Sequence, residues 1–122
     1  MSLYDDIGAE RVEKIVHAFY ARSITDPMLA HFFMHIDHDE LVVQQIQFLS
    51  NLLGGPLVYQ GKTLQDAHRP FSIRPPHFAR RQILLAQTMD EMGLEPHLAS
   101  AWLALEERLR PLIMNQTGGC QD

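Results

Sequence analysis

An all-α fold is what this sequence predicts. Every strongly periodic segment repeats at helical spacing, none alternates with the two-residue period of a half-buried strand, and the periodic segments are bracketed by helix-starting and helix-stopping residues. Ser2 with Asp5 can cap a short first helix, which Gly8 breaks. Val12, Ile15, Val16, Phe19 and Tyr20 then form one apolar stripe, so the second helix should turn Tyr20 inward. Asp26-Pro27 is a start signal, because aspartate can accept a free N–H and proline tolerates the first helical position. A short helix carrying Leu29, Phe32 and Phe33 should follow. Asp37 and Glu40 make another cap-like pair, opening a helix that should run through Leu53 until Gly54-Gly55-Pro56 stops it.

Residues 57–62 read as a loop, and Thr63 with Asp66 can start a brief helix that ends at Pro70, with His68 in its last turn. Pro75-Pro76 should open the next helix, whose inner face is marked by Phe78, Leu85, Met89 and Met92 before Gly93 ends it. Pro96 opens the last helix, where Leu98, Trp102, Leu105, Leu109 and Leu112 share a stripe and Pro111 should distort the final turns. The folded domain is thus expected over residues 1–114, with residues 115–122 a frayed, disordered tail.

A chain of 122 residues is the size of one domain around one core, and 46% hydrophobic with 20% charged residues describes a water-soluble globule. The net charge of −5 comes with no basic stripe, which argues against nucleic acid or an anionic membrane surface as partner and toward a small ligand. The sequence runs from Met1-Ser2 directly into amphipathic helix without a basic leader or apolar signal segment, so a cytoplasmic location is expected. A single cysteine, Cys120, allows neither an internal disulfide nor a cysteine metal cluster. Asn115-Gln116-Thr117 matches a glycosylation sequon but has no secretion signal to go with it. Nucleophile motifs, phosphate-binding glycine loops and convincing carboxylate pairs are lacking, which removes hydrolase and kinase chemistry.

Polar residues on faces that should be apolar carry the functional information, since burying one without a partner costs roughly 1–3 kcal/mol. Leu41, Gln45, Phe48 and Leu52 fall on one face, which places Gln45 mid-stripe with Gln44 at its edge. Gln45 can cap a carbonyl in the core, or it can aim a donor into a ligand cavity. Tyr20 can be a core tyrosine bonded to a backbone acceptor, or a cavity donor. His68 has no second ligand at zinc-site spacing, so it is a surface or core histidine unless it serves a group that needs one protein ligand. His35 and His38, among acidic neighbours, could hold a weak metal site or simply form a solvated helix entry. His17, His31, His77 and His97 carry no spacing signal.

In order, Phe19-Tyr20, Asp26-Pro27, Phe32-Phe33, Gln45, Phe48, Gly54-Gly55-Pro56, Tyr59-x-Gly61 and Ala67-His68 resemble the truncated haemoglobin family, the short globins that pack helices two-over-two around haem. The likeness spans nearly the whole chain and lies in the joint spacing. It implies haem b (iron protoporphyrin IX) as cofactor, with His68 the proximal iron ligand whose second ring nitrogen is steered by an acceptor. It also implies that Phe33 packs against the haem plane and that Leu41, Phe48, Ile73 and Phe78 wall the cavity. Tyr20 and Gln45 match the distal donors of group I members, with Gln44 able to assist. Lys62, Arg69 and Arg74 become candidates to pair with haem propionates, each worth ~0–1 kcal/mol at a solvent edge.

Departures from the family pattern are informative. Gly8-Ala9 stands where Gly-Gly is usual, and His68-Arg69-Pro70-Phe71-Ser72-Ile73 looks more like groups II and III than group I. Arg81 falls where group II members carry a tryptophan. It is expected to swing to a propionate or to solvent, the alternative being entry into the distal side to meet a bound anion.

The resemblance implies reversible oxygen binding, with carbon monoxide and nitric oxide as further ligands. Distal donors favour oxygen over carbon monoxide because bound oxygen carries partial negative charge. Nitric oxide dioxygenation would need a separate reductase, since the chain has no flavin or nicotinamide motif. The rival functions are a gas or redox sensor, a peroxidase-like haem protein, for which Tyr20 and Gln45 are poor acid–base groups unless His35 or His38 folds over the iron, and a helical interaction module with no cofactor.

Overall fold

Ser2 closes a full capping box at the start of the chain: its Oγ accepts from the Asp5 N–H at 3.1 Å while the Asp5 carboxylate accepts from the Ser2 N–H at 3.4 Å. The computed structural model describes residues 2–56 and 73–114, and all regular structure among the described residues is helical. Helix α1 spans Leu3–Ile7, α2 Ala9–Thr25, a short 3-10 helix Ala30–Phe33, α3 His38–Leu52, α4 Pro75–Glu91, α5 Pro96–Arg108 and α6 Arg110–Met114. The expected helix ahead of Pro70, with His68, and the expected tail at 115–122 lie outside the described residues.

The stripe on α2 forms as expected. Val12, Ile15, Val16, Phe19 and Tyr20 are all buried, and α2 sits centrally, packed on α1, the 3-10 helix, α3 and α4. Leu49, Leu85, Met89, Leu98 and Trp102 complete the main core, and α4 and α5 pack on one another. Full burial of an aromatic or large aliphatic side chain contributes roughly 1.5–3 kcal/mol, so this cluster outweighs any single polar contact in the domain.

Gly54-Gly55 does more than stop α3. Gly54 adopts φ 94°, its N–H reaches the Asn51 carbonyl at 3.0 Å, and the Gly55 N–H reaches the Ser50 carbonyl at 2.7 Å, the paired bonds of a Schellman cap. The same bend seats α1 on the end of α3, with the Tyr4 N–H donating to the Leu53 carbonyl at 2.9 Å. A Cβ on Gly55 would lie 2.7 Å from the Tyr4 ring and one on Gly54 2.7 Å from the Ser2 Cβ, so the two helices meet only because these side chains are missing.

The short helix expected after Asp26-Pro27 forms as a 3-10 helix that begins after a turn, because the Asp26 carbonyl and carboxylate together take the N–H groups of Met28, Leu29 and Ala30. Two expectations need correction. Met92 is 37% exposed, since the chain turns at Gly93 and Leu94 takes the buried place. Leu112 is also 37% exposed while Ile113 and Met114 are buried, because the helix breaks between Arg108 and Arg110 and restarts with shifted phase.

Asp26 also does something its capping role did not suggest. Its Oδ1 accepts from Arg80 Nε at 3.0 Å and Nη2 at 2.7 Å, tying the turn after α2 to α4. Hydrogen bonds from Arg80 hold the Asp26 carboxyl below the ordinary carboxylate value, against the opposing effect of burial. A lowered folded value means that this pair stabilises the fold fully above the unfolded aspartate value of ~3.9 and loses its effect as pH falls through the folded value. Asp26→Asn should therefore lower the urea midpoint at pH 7, and the difference from wild type should shrink below pH ~4. A gap that stayed constant with pH would assign the effect to the turn instead.

Candidate functional site

Tyr20 is turned inward by α2 and lines a small cavity of about 70 Å³. Among the described residues Phe19, Ser23, Leu29, Phe32, Phe33, Ile73, His77 and Arg81 line it as well. The walls are aromatic and aliphatic: Phe33 meets Tyr20 edge-on with ring centroids 6.2 Å apart, and Phe19 meets it edge-on at 4.9 Å. The polar tips are few, and they come from α2 and from the first two turns of α4.

Arg81 is the largest of these and stands where the sequence did not put it. Its side chain is 17% exposed and turns into the protein, where Nη2 pairs with Glu106 Oε1 at 2.8 Å. Nη1 donates to Gln82 Oε1 at 2.7 Å, the guanidinium lies over the Phe19 ring at 5.0 Å, and it also donates to the Tyr20 oxygen. The expected swing to solvent or a propionate is therefore corrected. A partner 1% exposed on the neighbouring helix, with its second oxygen taking Trp102 Nε1 at 3.0 Å, holds the cation inside.

Burial would lower the affinity of Arg81 for its proton, but the Glu106 carboxylate and the Tyr20 oxygen outweigh that and hold it above the ordinary arginine value. Burial pushes the Tyr20 hydroxyl above its ordinary value, against the pull of the Arg81 charge and with a further push from Glu106. The tyrosine thus keeps its proton at neutral pH. Because its oxygen accepts from Arg81, the O–H is left to donate elsewhere.

The other expected site residues fall into three groups. Phe33 and Ile73 line the cavity with Tyr20. Leu41, Gln45 and Phe48 are half-buried along one flank of α3, whose buried face is instead Val42, Leu49 and Ser50, and Gln44 is exposed. Phe78 is buried behind the cavity rather than on it, in a second cluster with Ile113 and Met114. Arg74 is exposed at the start of α4. His68, Lys62 and Arg69 lie outside the described residues.

His77, given no role from sequence, lies on the cavity rim. Its Nδ1 accepts from the Arg74 N–H at 3.0 Å and its ring meets Phe32 edge-on at 4.9 Å. His35 and His38 are exposed and do not line the cavity, and the His38 Nε2 meets the Phe33 carbonyl at 2.9 Å. Among the described residues no cluster of three or more metal-ligating side chains occurs, and no helix is long and apolar enough to cross a membrane.

The described residues thus form an all-helical domain with a small aromatic cavity and a buried tyrosine at its wall. The chain matches the model of the bacterial-like globin family over residues 2–115, and it belongs to that family. It is similar to a group 1 truncated haemoglobin of Tetrahymena pyriformis, 36% identical over 94 residues that cover 76% of this chain and 78% of the relative. Another group 1 truncated haemoglobin, from Mycolicibacterium paratuberculosis, is 31% identical over 119 residues, 97% of this chain and 88% of that one. The crystal structure of the Tetrahymena pyriformis truncated haemoglobin in its Fe(III) form superposes with a TM-score of 0.89 at 30% identity, covering 93% of this chain and 98% of that one. The architecture is the 2/2 globin fold, and family membership carries a haem cofactor and the binding of gaseous ligands such as oxygen.

Proposed function

We propose that the chain holds haem b through His68 and binds oxygen reversibly on the Tyr20 side. The observation that carries this reading is the buried Tyr20, protonated and next to Arg81, on a cavity walled largely by Phe19, Leu29, Phe32 and Phe33. The lining fits a flat apolar group: rings supply face and edge contacts, and the few polar tips are grouped beside Tyr20. When bound, haem supplies an iron that takes a diatomic ligand. Leu41 and Phe48, half-buried beside the core, are assigned to its apolar wall, with Gln45 among them as a second donor and Gln44 assisting. Phe33 is assigned to the haem plane, Ile73 and, from behind, Phe78 to the opposite wall, and Lys62, Arg69 and Arg74 to the propionates. The segment from His68 to Ile73 gives the proximal side a character like that of groups II and III.

What this chain contributes is binding, orientation and a proton held at the Tyr20 hydroxyl. That proton stabilises a ligand with negative character over carbon monoxide. A neutral hydrogen bond is worth about 0.5–1.5 kcal/mol net, so Tyr20→Phe should speed oxygen release by up to about tenfold in stopped-flow displacement. A rate equal to wild type would remove Tyr20 from the ligand's surroundings. The chemistry that bound haem would supply beside Tyr20 is nitric oxide dioxygenation, which would turn nitric oxide and oxygen into nitrate and would need a separate cytoplasmic reductase to return the one electron spent in each turnover. Mixing the oxygenated protein with nitric oxide, with and without a reductase system, tests this. Nitrate formed once per haem without reductase and repeatedly with it is the expected result, and slow or absent nitrate formation would leave reversible binding as the function.

A further inference from the structure

Oxygen binding needs a donor in the cavity, and Tyr20 supplies one. It does not need a full positive charge, yet Arg81 brings one to the same wall. Its counter-charge sits behind the wall: Glu106 does not line the cavity, is 1% exposed, and is fixed by Arg81 at 2.8 Å and by Trp102 at 3.0 Å. Arg81 therefore lies on the cavity wall, while its carboxylate partner lies off it and inside the core. Among the described residues Glu106, Gln82 and Tyr20 take only part of the five N–H donors of a guanidinium, which leaves it the capacity to meet a ligand. Among the described residues the other titratable groups on the cavity are Tyr20, which keeps its proton, and His77 on the rim.

We propose that Arg81 makes this cavity selective for small monovalent anions over neutral ligands of similar size, with Glu106 setting how strongly the charge is felt. The inference rests on the haem reading above, since the iron would hold the other end of the ligand. A guanidinium in a poorly solvated wall acts on an anion with little screening, whereas a ligand without charge gains almost nothing from it. Glu106 opposes the anion from behind, so weakening the carboxylate and removing the cation should shift anion affinity in opposite directions.

The test uses the haem-loaded protein and two probes read by absorption spectroscopy: azide on the ferric form and carbon monoxide on the ferrous form. Arg81→Met combined with Glu106→Gln, which avoids leaving a bare buried carboxylate, should weaken azide binding by about tenfold or more, the scale of one charge-assisted hydrogen bond. Carbon monoxide affinity should change less than about threefold, because no charge is involved. Glu106→Gln alone removes the counter-charge, keeps one oxygen to accept from Arg81 at the cost of the Trp102 bond, and should tighten azide binding. If the double variant does not retain haem, the single Glu106→Gln variant decides. Azide affinity that is unchanged or weaker in Glu106→Gln overturns the proposal, as does a loss in the double variant shared equally by azide and carbon monoxide. A wild-type chain that takes up no haem would fail the underlying reading as well, whereas a normal haem spectrum with indifferent azide binding fails this proposal only.

Discussion

Replacing His68 by alanine is expected to abolish stable haem retention. On the proposed reading the His68 imidazole is the protein's ligand to the iron, and the rest of the hold is apolar contact and edge pairing worth ~0–1 kcal/mol per exposed ion pair. Loss of a partner that merely orients a metal ligand costs about 10–100-fold in affinity, so loss of the ligand should cost at least about a hundredfold. Haem transfer to an acceptor globin should therefore be faster by that factor or more in His68→Ala. Added imidazole should restore the spectrum, because it can re-enter the space and supply the missing nitrogen, and this rescue separates a ligand role from a folding role. Wild-type spectra and wild-type transfer rates in the variant would move the iron to another residue, and His77, already on the cavity rim, would be the first to examine.

How far the sequence carried the reading depended on whether a residue's role was local. The α2 stripe, the Ser2–Asp5 and Asp37–Glu40 caps and the Pro75-Pro76 start are decided within one or two turns, and the structure places them as the spacing implies. The failures are non-local. On α5 the apolar stripe pointed to Leu105 as an inner residue, yet Leu105 is half-buried while Leu98, Trp102 and Glu106, at i, i+4 and i+8, are fully inside. A carboxylate marks the solvent side in any hydropathy pattern, so periodicity rejects the phase that burial selects. A signal was present all the same. Arg81 stands three residues after Phe78 and four before Leu85 on α4, Glu106 stands four after Trp102 on α5, and opposite charges on the inner faces of consecutive helices are candidates to pair. On α3 the stripe through Leu41, Gln45, Phe48 and Leu52 is half-buried, because α3 is fully buried through Val42, Leu49, Ser50 and Leu53, a phase one residue away. A one-residue shift turns the buried face by about 100° around the axis, and with apolar residues in both phases, Leu41, Phe48 and Leu52 in one and Val42, Leu49 and Leu53 in the other, hydropathy does not choose between them.

The Arg81–Glu106 pair should also dominate the stability of the domain when it is broken from one side. Glu106→Leu leaves a guanidinium with little access to water and removes the acceptor of the Trp102 indole N–H, and one-sided loss of a buried pair costs about 3–5 kcal/mol. Arg81 keeps some contact with solvent, which places the expected cost near the lower end of that range. In a domain of this size each kcal/mol moves the melting temperature by roughly 3–6 °C, so Glu106→Leu should melt about 10 °C or more below wild type. Adding Arg81→Met should recover much of that loss, because replacing both members of a buried pair with apolar groups of similar volume is often neutral or stabilising. The two substitutions would then be strongly non-additive in a double-mutant cycle measured on the haem-loaded protein by urea unfolding. Additive losses would mean that the two side chains stabilise the fold independently. A Glu106→Leu variant as stable as wild type would mean that Arg81 can find water or another acceptor once the carboxylate is gone, and the cation could not then be regarded as held in the cavity wall by its partner on α5.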